Sequence, residues 1–126
     1  MPENGCTVIL GDKSKPKIGN VSALLRDYFS LVKVVGNVPD AECCCAHLLP
    51  GLVVFTDTVH VASETLIGLR RWMPETFFLA LYDELMPQAE TLFRCSGILF
   101  LGSYDTFFAF SRTILKRMVN RQGGTP

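Results

Sequence analysis

The hydrophobic and polar positions of the chain follow two alternating patterns. Five short apolar runs, each typical of a strand, are separated by stretches in which apolar residues recur at helical spacing. The runs are CTVILG (6–11), LVKVVGNV (31–38), LVVFTD (52–57), TFFLALY (76–82) and ILFLG (98–102). Because they are apolar at nearly every position, they predict strands buried on both faces, as in a parallel sheet covered by helices.

The intervening stretches predict five helices. In the first, Val21, Leu24 and Leu25 share one helical face. The second begins after Asp40, a residue type suited to capping, and ends at Pro50. The others span about 62–73, 86–94 and 105–121. Strands and helices in this order, joined by right-handed crossovers, predict a doubly wound α/β domain with a five-stranded parallel sheet of order 2-1-3-4-5 and helices on both faces.

Length and charge narrow the range of functions. The 126 residues suit one domain, which we assign to residues 1–121, with 122–126 as a linker start or disordered tail. Twelve basic and twelve acidic residues cancel, so nothing in the charge favours direct binding to nucleic acid or to an anionic membrane. No run is long enough to span a bilayer. The five cysteines show no disulfide spacing, which together with the absence of a secretion signal predicts a cytoplasmic protein.

Acidic side chains follow two strands that should be neighbours. Asp12 comes after the first strand and Asp57 after the third, so both would lie at the carboxyl edge where ligands bind in such sheets. Two carboxylates there could hold Mg2+; alternatively, each acid only solubilises a loop. Three lysines lie close behind Asp12, at positions 13, 15 and 17. We expect them to be solvated loop residues rather than ligands for an anion.

The last predicted helix has an unusually wide apolar arc. Phe107, Ile114 and Met118 lie near its centre and are expected to face the sheet. One flank of the arc is formed by Phe108, Leu115 and Val119. We expect this flank to face a second copy of the chain in a homodimer, because an exposed apolar patch usually marks a contact.

Several segments between Cys6 and Arg121 resemble one protein family. They are VKVVGNVPDAE (32–42), LPGLVVFTD (49–57), GLRRWMPET (68–76) and SYDTFFAFSRTI (103–114). They are similar to the receiver domains of response regulators, especially those of NarL/FixJ-type transcription factors, and imply a flavodoxin-like, CheY-like fold. In that family the third strand ends at an aspartate that accepts a phosphoryl group. Counting back from Leu69 places this acceptor at Asp57 and counting forward from Pro50 places it at Thr56; we choose Asp57 because only a carboxylate forms an acyl phosphate.

The chain also departs from the family at three helper positions. Receivers carry two adjacent acids after the first strand, where this chain has Gly11-Asp12. They carry threonine or serine at the end of the fourth strand, where Leu81-Tyr82 stand. They carry a lysine after the fifth strand, where Leu101 or Gly102 stands. These departures predict an atypical, non-enzymatic receiver that acts by dimerisation or partner binding rather than by efficient phosphorylation.

Two other functions stay open at the level of sequence. Asp57 could accept a phosphoryl group from a histidine kinase, with Mg2+ bound weakly by Asp12 and Asp57. The edge could instead bind a small effector in the vacated phosphate pocket. Binding to DNA is expected only through a C-terminal domain of the NarL type, which this chain lacks, and no membrane partner is expected.

Overall fold

The computed structural model describes residues 3–84, 90–91, 93–94 and 97–122. Five strands and four helices have both ends within these residues. In chain order they are β1 (Glu3–Leu10), α1 (Pro16–Leu25), β2 (Phe29–Val35), α2 (Val38–Leu48), β3 (Leu52–Thr56), α3 (Ser63–Trp72), β4 (Phe77–Leu81), β5 (Ile98–Gly102) and α4 (Tyr104–Gln122). Residues 90, 91, 93 and 94 are helical too, whereas the predicted start of that helix, at 86–89, lies outside the described residues.

The sheet has the predicted topology. Its strand order is β2-β1-β3-β4-β5, and every neighbouring pair is parallel. The predicted fold class is therefore confirmed: helices connect the strands and cover both faces of the sheet. Among the described residues, no helix has the length and apolar character needed to cross a membrane.

Alternating side chains of the strands pack into two cores, one on each face. Ile9 and Val54 point to the face that α1 and α4 cover, where they meet residues such as Leu25 and Phe107. The neighbouring strand positions point to the face covered by α2 and α3. The central strands β3 and β4 are therefore buried on both sides, which explains why their sequences show no polar alternation, whereas the edge strand β2 exposes Leu31 and Lys33.

The last helix differs from the prediction. Leu115 is only 3% exposed and lies in the same core cluster as Ile114, so the expectation that it faces a second copy is wrong. The backbone leaves helical geometry at Phe110 (φ −117°, ψ 19°), which changes the phase of the side chains on either side of the kink. Phe108 packs partly against the core, and the side chain of Val119 lies outside the described residues.

The start of α2 is also corrected. Asn37 is its N-cap: the Asn37 side chain accepts a hydrogen bond of 2.9 Å from the backbone N–H of Asp40. The Asn37 amide in turn donates to Asp40 Oδ2 at 3.1 Å. Asp40 was expected to be the cap, but the helix begins upstream of it, at Val38. Pro39 is compatible with this start, because the backbone N–H that proline lacks would have no partner in the first turn of a helix.

Candidate functional site

Asp57 is the first residue after β3 and lies at the carboxyl edge of the sheet. Because β3 pairs with β1 on one side and β4 on the other, Asp57 is flanked by the ends of both strands. The preceding residue, Thr56, is fully buried, and its hydroxyl donates to the carbonyl oxygen of Leu10 at 2.8 Å. The side chain presented at the edge is therefore that of Asp57, which is 21% exposed, and not that of Thr56.

Both carboxylate oxygens of Asp57 accept hydrogen bonds from neighbouring elements. The phenol of Tyr104 donates to Oδ1 at 2.9 Å, and the backbone N–H of Asp83, just past β4, donates to Oδ2 at 3.2 Å. Tyr104 is almost fully buried and is the first residue of α4. The Ser103 hydroxyl before it accepts from the Thr106 backbone N–H at 3.1 Å, which caps α4 and fixes the position of the Tyr104 backbone.

A lysine from another helix supplies a cation to this site. Lys17 Nζ lies 3.4 Å from Asp57 Oδ1 and 3.5 Å from Oδ2, and 3.3 Å from Asp83 Oδ2. The same ammonium lies 4.5 Å from the centre of the Tyr104 ring, within cation–π range. The distances from Lys17 Nζ to the carboxylate oxygens are longer than the roughly 2.8 Å of a tight charge-assisted hydrogen bond. The ammonium therefore lies between the two carboxylates and is shared by them. We call Lys17, Asp57, Asp83 and Tyr104 the edge cluster.

The start of α1 brings Lys17 to this position. Pro16 is the first helical residue, so Lys17 belongs to the first turn of a helix and not to a loop. The first turn of α1 contains no acid, and a cation there is opposed by the helix dipole. The carboxylates of Asp57 and Asp83 offset that repulsion. The expectation of a solvated loop residue is therefore wrong for Lys17, whereas Lys13 and Lys15 are indeed exposed.

The ionisation of the edge cluster follows from burial and charge. Desolvation lowers the pKa of Lys17, but hydrogen bonding to Asp83 and the charge of Asp57 outweigh it, so this pKa lies above its ordinary value. Burial first, and then the bond to Asp57, raises the pKa of Tyr104. Burial and the charge of Asp57 raise the pKa of Tyr82, at the end of β4, to about 12. At neutral pH the cluster therefore contains an ammonium ion and a neutral phenol that donates to Asp57.

The second predicted acid is oriented differently. The Asp12 carboxylate accepts from the hydroxyl of Ser14 at 2.7 Å and from its backbone N–H at 2.9 Å, and these bonds lower the pKa of Asp12. The Asp12 backbone N–H donates to Thr58 Oγ1 at 2.9 Å. The Thr56 hydroxyl has one hydrogen, and it goes to the carbonyl oxygen of Leu10. In the 2.8 Å contact between the two hydroxyl groups, Thr58 is therefore the donor and Thr56 the acceptor. This chain of hydrogen bonds ties the end of β1 to the end of β3 through hydroxyl groups.

These side chains do not form a donor set that fits Mg2+. The oxygens of Asp57 already accept from Tyr104 and the Asp83 N–H beside the Lys17 ammonium, and Asp12 is bonded to Ser14. In the described ranges, no three acidic, histidine or cysteine side chains converge as metal ligands would. Mg2+ needs near-octahedral oxygen donors and dehydrates reluctantly. The Asp12–Asp57 metal pair thus stays a prediction that this arrangement does not favour.

Gly11 occupies the place where receivers carry the other acid, and its surroundings are closed. A Cβ atom at Gly11 would lie 3.1 Å from both Ile18 Cδ1 and Thr56 Oγ1. Those contacts are tighter than ordinary van der Waals distances, so a side chain at this position would push against α1 and β3. The close packing of Ile18, from α1, against the end of β1 therefore leaves no room for an acidic side chain at position 11.

A cleft of about 440 Å³ lies beside the edge cluster, toward β2. Its walls combine the loop after β1, the end of β2 and the loop after β3. The residues lining it are Gly11, Asp12, Lys13, Val34, Val35, Gly36, Asp40, Thr58 and Val59. None of the edge-cluster residues lines this cleft, so an effector in the phosphate pocket at Asp57 stays a prediction.

No protein-family model matches the sequence, and no curated protein sequence is significantly similar to it. Solved structures do resemble the fold. The signal receiver domain of the DNA-binding response regulator merR from Colwellia psychrerythraea 34H matches with a TM-score of 0.73 and 15% identity, over 92% of this chain and 98% of that one. A CheY-like receiver domain from Methanospirillum hungatei JF-1 gives 0.72 and 9% identity, over 94% and 99%. HP1043, an orphan response regulator of H. pylori, gives 0.68 and 18% identity, over 90% and 99%.

At these identities the similarity establishes the fold. The chain is folded as the receiver domains of response regulators are, over nearly the whole length of those domains. This confirms the fold that the sequence resemblance implied. The roles of Asp57 and its neighbours have to be argued from the edge cluster itself.

Proposed function

We propose that the chain is an atypical receiver domain, a regulatory module of a response regulator that signals by binding a partner or a second copy and not by efficient phosphorylation. The receiver fold supports a role in response regulation. One observation carries the atypical part: the Asp57 carboxylate, which would be the phosphoacceptor, is bonded to Tyr104 and the Asp83 N–H and neutralised by Lys17.

The edge cluster opposes phosphorylation for a physical reason. Attack on a phosphoryl group requires a free carboxylate oxygen and cations that neutralise the incoming charge. In this site Tyr104 and Lys17 already satisfy Asp57, and a divalent cation would meet the Lys17 ammonium beside Asp57 and Asp83. The positive charge that a divalent cation would bring to Asp57 is thus partly supplied by Lys17.

One observation favours a second candidate function, that of a phosphoacceptor. Lys17 Nζ lies 3.4 Å and 3.5 Å from the two oxygens of Asp57, close enough to pair with a phosphoryl group on either. On this reading Lys17 replaces, from α1, the lysine that the family carries after β5. A histidine kinase would then be the donor. The two candidates differ in one respect: Lys17 blocks the reaction in the first and assists it in the second.

Beryllium fluoride, which mimics a phosphoryl group on a carboxylate, separates these functions. We expect amide NMR spectra of the wild-type chain with Mg2+ and beryllium fluoride to show no saturable shifts around Asp57. Because Lys17 blocks the reaction in the first candidate, Lys17→Met should begin to respond. A saturable response of the wild type that Lys17→Met abolishes would overturn the proposal in favour of the phosphoacceptor. Lys116→Met, at an exposed position of α4, is the matched control.

The association that this function requires stays a proposal. A homodimer through the last helix was expected; with Leu115 in the core, Phe110 is the large apolar side chain that the described part of α4 exposes, at 59%. Any regulation of DNA would act through a separate DNA-binding domain, and the cytoplasm is the proposed location.

A further inference from the structure

A second surface, which none of the edge-cluster residues lines, has the features of a docking site. It is a groove of about 510 Å³ between α2 and α3, which we call the α2–α3 groove. Residues from both helices line it: Glu42 and Ala46 from α2, and Glu64, Thr65, Gly68, Leu69 and Trp72 from α3.

Small residues hold the groove open while larger apolar ones form its walls. Ala46 and Gly68 are the smallest lining residues, and a Cβ added at Gly68 would meet nothing within 4 Å. Leu69 is buried, whereas Trp72 leaves 52% of its surface exposed. Because the exposed Trp72 ring shares this groove with Leu69, Ala46 and Gly68, the surface is suited to cover by an apolar partner.

The charges lining the groove have one sign. Glu42 and Glu64 are both exposed, and no salt bridge found among the described residues includes either of them. The only described hydrogen bond to their carboxylates comes from the neutral hydroxyl of Ser63, which donates to Glu64 at 3.4 Å. The arginines of α3, Arg70 and Arg71, are not among the lining residues. The surface therefore combines an indole face with two carboxylates that lack a cation.

We propose that the α2–α3 groove binds a basic amphipathic segment of a partner protein. An arginine or lysine of that segment would lie between Glu42 and Glu64 with its stem on Trp72, and apolar side chains would cover Leu69 beside Gly68. Carboxylates give charge complementarity to the cation, and an aromatic face adds cation–π attraction. A helix in a groove between two helices is a common mode of peptide recognition. The inference does not depend on the state of Asp57.

Trp72 supplies the readout, because it is the only tryptophan in the chain. The probe is a short amphipathic peptide of leucine and alanine with arginines along one face, and its counterpart carries glutamate at each arginine position. We expect the arginine peptide to change Trp72 fluorescence saturably and the glutamate peptide to have no effect. The change should weaken as salt is added, since exposed charges are screened.

Variants assign the binding to the groove. Glu42→Gln with Glu64→Gln should weaken binding by up to about fivefold for each carboxylate, the range of exposed ion pairs. Glu75→Gln, an exposed acid outside the groove, should leave it unchanged. Gly68→Leu should fill the groove and abolish binding, whereas Lys17→Met should not affect it, which separates this inference from the proposed function.

Three results would overturn the inference. The first is equal binding of the arginine and glutamate peptides, which would indicate only nonspecific apolar contact. The second is binding that survives Gly68→Leu. The third is a Trp72 signal that changes with protein concentration in the absence of peptide, which would assign the groove to a second copy of the chain.

Discussion

Lys17 and Asp57 are 40 positions apart in the chain, yet the Lys17 ammonium lies within 3.5 Å of both oxygens of the Asp57 carboxylate. The pair joins the first turn of α1 to the end of β3, and Asp83 extends it to the end of β4. A cation from α1 thus lies beside the Asp57 carboxylate, although the sequence analysis placed Lys17 in a solvated loop.

Lys17→Met should lower the stability of the domain only slightly. The lysine side chain is 35% exposed, and pairs of this kind contribute roughly 0.2–1 kcal/mol. We expect urea denaturation to show a loss of unfolding free energy in that range. The loss should be smaller in high salt, because salt screens the ion pair in the wild type. Lys116→Met should change the unfolding free energy less. A loss of several kcal/mol for Lys17→Met would show that the pair is far better shielded from water than its exposure indicates.

Alkaline pH should destabilise the domain through the edge cluster. The pKa values of Tyr104 and Lys17 are raised in the folded state from 10.0 and 10.5. The stability that their protonated forms contribute is therefore complete below those unfolded-state pKa values, and it is lost as the pH rises through the folded-state pKa values. Tyr104→Phe should cost about 1.5–3 kcal/mol at neutral pH, the usual range for a hydrogen bond to a charged group, and should flatten the decline above pH 10. Urea denaturation at a series of pH values measures both effects, and an unchanged alkaline decline would contradict the assignment.

Restoring the missing acid should not restore a metal site. Gly11→Asp places a side chain 3.1 Å from Ile18 and Thr56, and overpacking of this kind costs about 1–3 kcal/mol. Gly36→Asp, where a Cβ meets nothing within 4 Å, is the matched control and should be tolerated. Thermal unfolding with and without Mg2+ tests this. A Gly11→Asp variant that millimolar Mg2+ stabilises would show that the fold can still accept the ion.

Thr7→Val should stabilise the domain. Thr7 is fully buried in β1, and its hydroxyl has no hydrogen-bond partner in the part of the chain that the structure describes, so an isosteric methyl group removes a desolvated polar atom. We expect a gain of about 1 kcal/mol. Thr76→Val is the matched control and should be destabilising, because the Thr76 hydroxyl donates to the Pro50 carbonyl at 2.8 Å. If both variants lose stability, Thr7 has a partner in solution.

The sheet was predictable because burial on both faces leaves a plain signal. The run ILFLG (98–102) became β5 with the same bounds, and the order of the strands followed from their connections. The same reasoning placed Asp57 at the carboxyl edge of the sheet.

The edge cluster was not predictable to the same degree, because it depends on side-chain direction. Lys17 lies in a polar, lysine-rich segment that looks like a loop, although Pro16 is a helix-start signal that could have placed it in α1. Nothing in the sequence marks Tyr104 as a donor to Asp57. The kink at Phe110 has no proline or glycine to announce it, so the helical periodicity of the last helix was extended too far.

Phe110 and Leu115 provide the test of dimerisation through the last helix. Leu115 is 3% exposed in the core, so Leu115→Glu should unfold the domain, because a buried unpaired charge cannot be solvated. Phe110 is 59% exposed at the kink, so Phe110→Glu should leave the fold intact. If α4 contacts a second copy, the new charges would meet across the symmetry axis and convert a wild-type dimer to a monomer.

Light scattering over a concentration series and a thermal melt measure both properties. Lys116→Glu, an exposed position on the same helix, is the control for added charge. A wild type that stays monomeric at high concentration, or a Phe110→Glu variant that stays dimeric, would exclude this face. Association through another surface would then be required for the proposed function.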